Sequence, residues 1–326
     1  MRAYIIRRLL LMIPTLFVAT LVIFILVYLI PGDYIDVLDS LSASEEPIDR
    51  PAMERQMGLD QPLVVQYARW MGFVPQMDGN FSGVFQGDLG ESWWQRLTVV
   101  ELVSLKLPVT FELSLMGIMI GQLIALPIGV YSALRQDKWG DYVGRSFAIL
   151  CISLPGFWLG TMVIVMPAVW WGYMPPIMLI QFTENPLGNL RMFIIPAIVL
   201  GMAMCGFTMR LTRTMLLEVM RQDYIRTAWA KGLRERSVVF RHALKNALIP
   251  VVTIIGIQLR ILVGGTVIVE EIFCLPGMGR LIFSAIINRD EPLIRGVMLL
   301  FAVVLVLINL MVDLTYAYLD PRVHFK

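Results

Sequence analysis

The stretch QDYIRTAWAKGLRERSVVFRHALKN, residues 222–246, carries six Lys or Arg and one His between two long apolar runs. The surrounding chain of 326 residues is 57% hydrophobic and 16% charged, with a mean hydropathy of +0.71. Soluble domains average about 45–50% apolar and about 25% charged. So apolar a composition identifies an integral membrane protein. A concentrated basic segment in that setting needs a reason.

Working outward from it, six apolar runs are long enough to cross a bilayer. The first, Leu9 to Ile30, follows Arg2, Arg7 and Arg8. Its 22 residues exceed the roughly 7–15 of a signal-peptide core, and no small-residue cleavage pattern follows, so it is expected to be a retained span. The others cover approximately 107–134, 146–171, 193–217, 249–269 and 296–318. Lipid offers backbone amides no partners, so all six should be helices. Pro127, Pro155 and Pro196 interrupt the pattern, and SLPGFWLG (153–160) predicts a kinked or broken third helix.

Placement of Lys and Arg sets the orientation. With the N-terminus inside, segments 1–8, 135–145, 210–248 and 313–326 hold 17 basic residues. Segments 31–104, 172–192 and 270–295 hold 8. The bias predicts both termini in the cytoplasm. Segment 31–104, with 12 acidic residues against 4 basic, is too long for a simple loop and predicts a small extracytoplasmic subdomain. Within it, 53–73 has the apolar spacing of a helix, and 85–103 reads as a turn leading into another. Trp70, Trp93 and Trp94 suit an aromatic belt at the membrane interface, with ligand stacking as the alternative. The expected organisation is a first span (1–30), the subdomain (31–104), a five-helix membrane core (105–318) and a cytoplasmic C-terminus (319–326).

Residues 210–248 carry nine basic and three acidic side chains. Apolar residues recur through them at helical intervals. A helix continuing out of the fourth span should end at Gly232 as its C′ residue, with Lys231 in its last turn complementing the helix dipole. A second helix follows, with Val238, Val239, Ala243 and Leu244 as candidate apolar contacts. Ala228, Ala230 and Gly232 put small side chains at the bend. Such a basic elbow suits either an anionic lipid surface or another protein; the small-residue bend favours the protein.

The longer stretch EVMRQDYIRTAWAKGLRERSVVFRHALKNALIPVVT (218–253) resembles the characteristic cytoplasmic loop, the EAA loop, of ABC-importer permeases in the dipeptide, oligopeptide and nickel branch. PGD (31–33), GLDQPLVVQYARW (58–70), GDLGES (87–92), LPVTFELS (107–114), LPGFWLG (154–160), VEEIFCLPGMGRL (269–281) and YLDPR (318–322) resemble the same branch in order. A first helix beginning almost at residue 1 is closer to its B-type subunit. The resemblance implies an all-α fold of type I importer permeases, in the plasma (inner) membrane of a prokaryote. It implies a coupling helix fitting a groove on an ATPase subunit, with contacts from Tyr224, Thr227, Ala228, Lys231 and Gly232, flanked by Arg226 and Arg234. It implies as partners a second, C-type permease subunit, two ATPase subunits and an external binding protein, which the acidic 31–104 region would help to dock. Di- or oligopeptides are the implied cargo, with nickel chelates, glutathione-like molecules and oligosaccharides as alternatives.

The chain contains no G-x-x-x-x-G-K-[ST] phosphate loop, so ATP and Mg are expected on separate subunits. Arg260 falls inside the fifth apolar run, where an Arg costs about 2.5–3.5 kcal/mol on insertion scales. With Gly264 and Gly265 it is a candidate for the translocation path, meeting an anion or pairing with Glu112. Snorkelling, or bonding to backbone carbonyls, is the competing account. Glu112 and Asp313 near span ends fit helix-end solvation. Cys151, Cys205 and Cys274 show no disulfide or metal spacing, and no metal site is expected. An intramembrane metalloenzyme would need H-E-x-x-H, whereas the histidines are His242 and His324, outside the spans. An ion-driven carrier would need mid-membrane ionisable relays and an internal repeat, neither of which is evident. A purely structural membrane subunit is the remaining alternative. No feature points to nucleic acid.

Overall fold

A computed structural model of the chain describes residues 2–41, 48–172, 176 and 178–319. The C-terminal segment expected at 319–326 lies outside them except for Leu319, as does His324. Among the described residues the secondary structure is helical apart from one isolated bridge, Glu91 to Thr98. The helices are α1 (Arg2–Tyr28), α2 (Tyr34–Leu41), α3 (Arg50–Met57), α4 (Leu63–Met71), α5 (Val99–Leu134), α6 (Trp139–Ser153), α7 (Gly156–Trp171) and α8 (Pro186–Met220). They continue with α9 (Asp223–Ala230), α10 (Glu235–Ser237), a π-helical stretch Val238–Ala243, α11 (Leu244–Ile272), α12 (Met278–Ile287) and α13 (Glu291–Leu319).

Five helices are long and apolar enough to cross a membrane, and α6 with α7 makes a sixth if the pair counts as one span. The pair bends by 96°. Pro155 has no backbone N–H and pushes the residue before it out of the helical region. Leu154 accordingly sits at φ −81°, ψ 121°, and α6 ends.

The chain divides into two compact units, residues 2–108 with 277–306, and residues 109–276 with 307 onward. In the second, α8 is the central rod. Phe193, Ala197, Leu200 and Met204 on α8, Val109 and Leu113 on α5, and Val269, Phe273 and Leu275 from α11 and its end form one buried cluster. The close approach of α5 has a specific cause. Gly117, Gly121, Ala125 and Gly129 recur every fourth residue and so share one face of the helix. A Cβ at Gly201 would sit 2.6 Å from the Gly117 carbonyl oxygen, and one at Gly121 would sit 2.9 Å from the Gly201 oxygen. Side-chain-free backbone contact of this kind is how membrane helices gain dispersion energy where lipid removes the hydrophobic drive.

In the other unit, the helix expected over 53–73 is two. Gly58 closes α3 in the left-handed conformation (φ +72°), donating to Arg55 and Glu54 carbonyls, and Pro62 opens α4. The turn expected after residue 85 is a 3₁₀ turn, Val84–Gln86, and the helix it leads into is α5 itself, which begins at Val99. Gly83 packs against Gly72 so closely that a Cβ there would lie 2.5 Å from the Gly72 nitrogen. Gln76 Nε2 donates to the Arg69 and Ser82 carbonyls and holds the intervening loop on the end of α4. Trp70 stacks near Phe24, and Trp93 lies against Tyr34. Trp94 is 40% exposed.

Candidate functional site

The basic elbow is built, not loose. Leu216 at the end of α8, Ile225 and Ala228 on α9, Val238 and Ala243 on the π-helical stretch, Ala247 on α11 and Ala133 on α5 form one buried cluster. Ile225 and Val238 are fully buried, each worth about 1.5–3 kcal/mol in transfer from water. Asn246 Nδ2 donates to Tyr224 Oη at 2.9 Å, tying α9 to α11. The end of α9 is a Schellman motif: Leu233 N–H donates to the Ala228 carbonyl, Gly232 N–H to that of Trp229. Gly232 is the left-handed residue this requires, at φ +74°, and no atom lies within 4 Å of where its Cβ would be.

A buried ion pair anchors the elbow at its root. Arg213 on α8 donates Nε–H and Nη2–H to the two carboxylate oxygens of Asp141, at 2.7 and 2.6 Å. Asp141 is fully buried in the first turn of α6 and also accepts from Ser132 Oγ on α5 and from Asp137 N–H. Four donors on one carboxylate offset its removal from water. The ends of α5, α6 and α8 are thereby fixed to one another.

With its inner face committed, the elbow turns a mixed surface outward. Tyr224, Arg226, Thr227, Lys231, Gly232 and Arg234 are exposed. Among the described residues Arg226 pairs only with exposed Asp223, and the Thr227 hydroxyl is taken by the Asp223 carbonyl. Ala228 departs from the expectation. It is 7% exposed and packs inward, where its small side chain lets α9 lie close to the elbow's own core. Three large apolar side chains not singled out from sequence share the surface: Trp229 (42% exposed), Leu233 (36%) and Phe240 (58%). Spacing alone gave no signal for Trp229, which follows the buried Ile225 by four residues and so lies near it on the same helix.

On α11, Arg260 is half-buried and its Nε has no hydrogen-bond partner among the described residues. It does not pair with Glu112, which instead lines an apolar hollow with Phe111, Leu115 and Phe182. Gly264, one turn after Arg260 on the same face, is exposed with nothing within 4 Å of an added Cβ. Gly265 points elsewhere, toward Leu200 at 3.8 Å, and lines a cavity of about 470 Å³ with Phe157, Ala203, Phe207 and Gln258. Gln258 is held on both sides. Its Nε2 donates to the Met204 carbonyl and to Thr208 Oγ1, both at 3.1 Å, and its Oε1 accepts from Gln122 at 3.3 Å. Thr110 Oγ1 donates to the fully buried Glu270 at 2.6 Å. The sequence reading passed over these groups; Gln122 and Gln258, polar amides inside apolar runs, were the signal. Among the described residues no group of three or more His, Cys, Asp or Glu is placed to hold a metal ion.

Comparison with known proteins agrees with this architecture along the whole chain. Residues 125–325 match the family described as the inner membrane component of binding-protein-dependent transport systems, and residues 1–114 match the N-terminal family of such components. A putative peptide transport system permease protein of Brucella suis biovar 1 (strain 1330) is 39% identical over the full length of both chains. A glutathione transport system permease protein of Salmonella typhimurium (strain LT2) is 35% identical over 99% of each. Among solved structures, the inward-facing MetNI methionine ABC transporter matches with a TM-score of 0.55 and 19% identity, over 67% of this chain and 96% of that one; it shows a shared fold. With its six apolar segments, its elbow and full-length relatives of this kind, the chain belongs to the inner-membrane permeases of binding-protein-dependent ABC importers, in the peptide branch.

Proposed function

We propose that the chain is the B-type permease subunit of an ATP-driven importer of di- or oligopeptides. A second, C-type permease subunit completes the path, an external binding protein delivers cargo, and two ATPase subunits use ATP and Mg. Both termini and the elbow face the cytoplasm of a prokaryote, across its plasma (inner) membrane, and segment 31–104 faces the other side. The basic count of the short loops supports that orientation, and the names of the peptide and glutathione relatives support the cargo class.

The observation that carries the coupling role is the elbow's two-sidedness. Its inner residues are locked by their own core and by the Arg213–Asp141 pair. Its outer residues, Tyr224, Arg226, Thr227, Lys231, Gly232 and Arg234, stand beside exposed Trp229, Leu233 and Phe240. Large aromatics with arginine form the usual energetic centre of a protein interface, and a rigid base transmits a push. The α11 face holding Arg260 and Gly264 is the wall we assign to the translocation path, with Gly265 lining the cavity behind it.

Gly232→Trp tests the assignment. The left-handed φ makes the change cost about 1–2 kcal/mol, and among the described residues nothing lies within 4 Å of the new Cβ. In proteoliposomes the variant should insert and pair with its permease partner, while ATPase subunits no longer co-purify and ATP-driven uptake of trialanine is lost. Retained ATP-driven uptake would refute the coupling role. Uptake by an ion gradient without ATP would refute the importer reading itself.

A further inference from the structure

Within the unit formed by residues 2–108 and 277–306 lies a cavity of about 490 Å³. Arg69, Trp70, Asp78, Asp88, Trp93 and Arg295 are among the residues lining it. Its size falls in the ordinary range of small-molecule sites, roughly 300–1,000 Å³.

The backbone of Arg69 is fixed while its side chain is uncommitted. It sits in the last turn of α4, and its carbonyl accepts from Gly72 N–H at 2.9 Å and Gln76 Nε2 at 3.1 Å. Its guanidinium makes no hydrogen bond or ion pair among the described residues, and its Nε is buried. A guanidinium is always charged and carries five donors in a planar fork that matches a carboxylate. Leaving it half-buried and unpaired is unfavourable unless an anion reaches it. Two further buried donors with no partner among the described residues belong to residues of the same cavity, Trp70 Nε1 and Arg295 Nε. Arg295 is only 8% exposed, its guanidinium 4.6 Å above the Phe24 ring and one of its Nη groups bonded to Glu291.

The cavity also carries the opposite sign. Asp78 accepts from Asn80 N–H at 3.0 Å, which holds its carboxyl below the usual carboxylate range. Asp88 accepts from Gly90 N–H at 2.8 Å and from Ser82. Both carboxyl groups are locally fixed by these bonds. The aromatic faces of Trp70 and Trp93, with Met57 and Met77, supply the apolar walls. A simple anion would meet the two aspartates and a simple cation the arginines, whereas a molecule bearing both charges satisfies each. We propose that this cavity binds a small zwitterion, an amino acid or short peptide, with its carboxylate on Arg69 and its ammonium toward Asp78 and Asp88. The proposal deepens the peptide reading above and rests on it for the choice of probe.

The test uses the purified full-length chain in nanodiscs, without ATP or partner subunits, titrated calorimetrically with trialanine, N-acetyl-trialanine and trialanine amide. Trialanine should bind saturably, and each blocked probe should bind at least tenfold more weakly. Arg69→Gln should weaken trialanine at least tenfold, leave the binding of the amide unchanged and leave the melting temperature unmoved, because Arg69 gives up no protein bond. Arg69→Lys should fall between. No saturable binding, equal binding of trialanine and its amide, or undiminished binding by Arg69→Gln would each overturn the proposal. Because the probes themselves vary, a variant that failed to fold would still leave the answer legible. Failure here leaves ATP-driven uptake untouched, and failed uptake with trialanine still bound would remove the importer reading alone.

Discussion

Asp290 accepts a hydrogen bond from Ser92 Oγ at 2.5 Å, joining residues 198 positions apart in the chain. Its carboxylate also accepts the Trp93 and Trp94 backbone N–H groups, each at 3.2 Å, and the Leu293 N–H as α13 begins. Both Ser92 and Asp290 are fully buried. One carboxylate therefore caps a helix and pins the loop before α5 to it. Asp290→Ala takes the partner from a buried hydroxyl and from two part-buried amides, and an unsatisfied buried group costs about 1–3 kcal/mol. We expect it to destabilise by at least about 3 kcal/mol, and Ser92→Ala by about 1 kcal/mol, read as shifts in thermal unfolding of the detergent-solubilised chain. Equal small shifts for the two would mean that Asp290 is not the hub.

Arg213 and Asp141 give a second prediction, with a signed double-variant outcome. Removing one member of a buried pair strands the other, at about 3–5 kcal/mol. Arg213→Ala should therefore unfold far more readily than wild type. Replacing both residues with apolar ones, Arg213→Met with Asp141→Leu, should recover most of that loss in unfolding experiments.

The contact of α5 with α8 makes a third. Gly201→Leu must push apart backbones that now touch, since even a Cβ would lie 2.6 Å from the Gly117 oxygen. Overpacking of this kind typically costs 1–3 kcal/mol and here falls on backbone rather than on side chains that could turn aside. Expression of monodisperse protein should be lost. Gly264→Leu, six decades of sequence later on an open face of α11, should leave it intact.

A fourth concerns acid. Asp36 has its carboxyl held below the usual carboxylate range, first by the Asp33 backbone N–H and then by the Arg50 guanidinium, which also contacts Asp33 and Glu54. A carboxylate with a depressed folded-state pKa adds stability that is complete above its unfolded value near 3.8 and is lost as pH falls through the folded one. Proteolytic resistance of α2 and α3 should thus hold from pH 8 to about 5 and decline below about 4. Asp36→Asn should flatten that decline.

The long spans were legible in the sequence because lipid leaves the backbone only one solution, and the break at Pro155 because a proline cannot donate. The elbow's C′ glycine was legible for the same local reason. What escaped was anything decided by a distant partner. The helix expected over 53–73 had continuous apolar spacing, but Gly58 and Pro62 punctuate it more strongly than the spacing unites it. Ala228 looked like surface beside a bend and is core, because Val238 and Ala243, a helix away, close over it. Arg260 and Glu112 looked like partners by sign alone and do not pair. Arg213 and Asp141 stand 72 positions apart in the sequence, and only the fold shows that they meet.

The right-angled turn between α6 and α7 bears on how this protein sits among its lipids. Two limbs set 96° apart cannot both stand upright, so at least one leans more than about 40° from the membrane normal, past the usual spread of helix tilts. Hydropathy measures how greasy a segment is and is blind to where it points. A sixteen-residue limb laid toward the bilayer plane would sweep aside roughly 24 Å of acyl chains in one direction, a demand on the lipid that a tally of crossings never reveals.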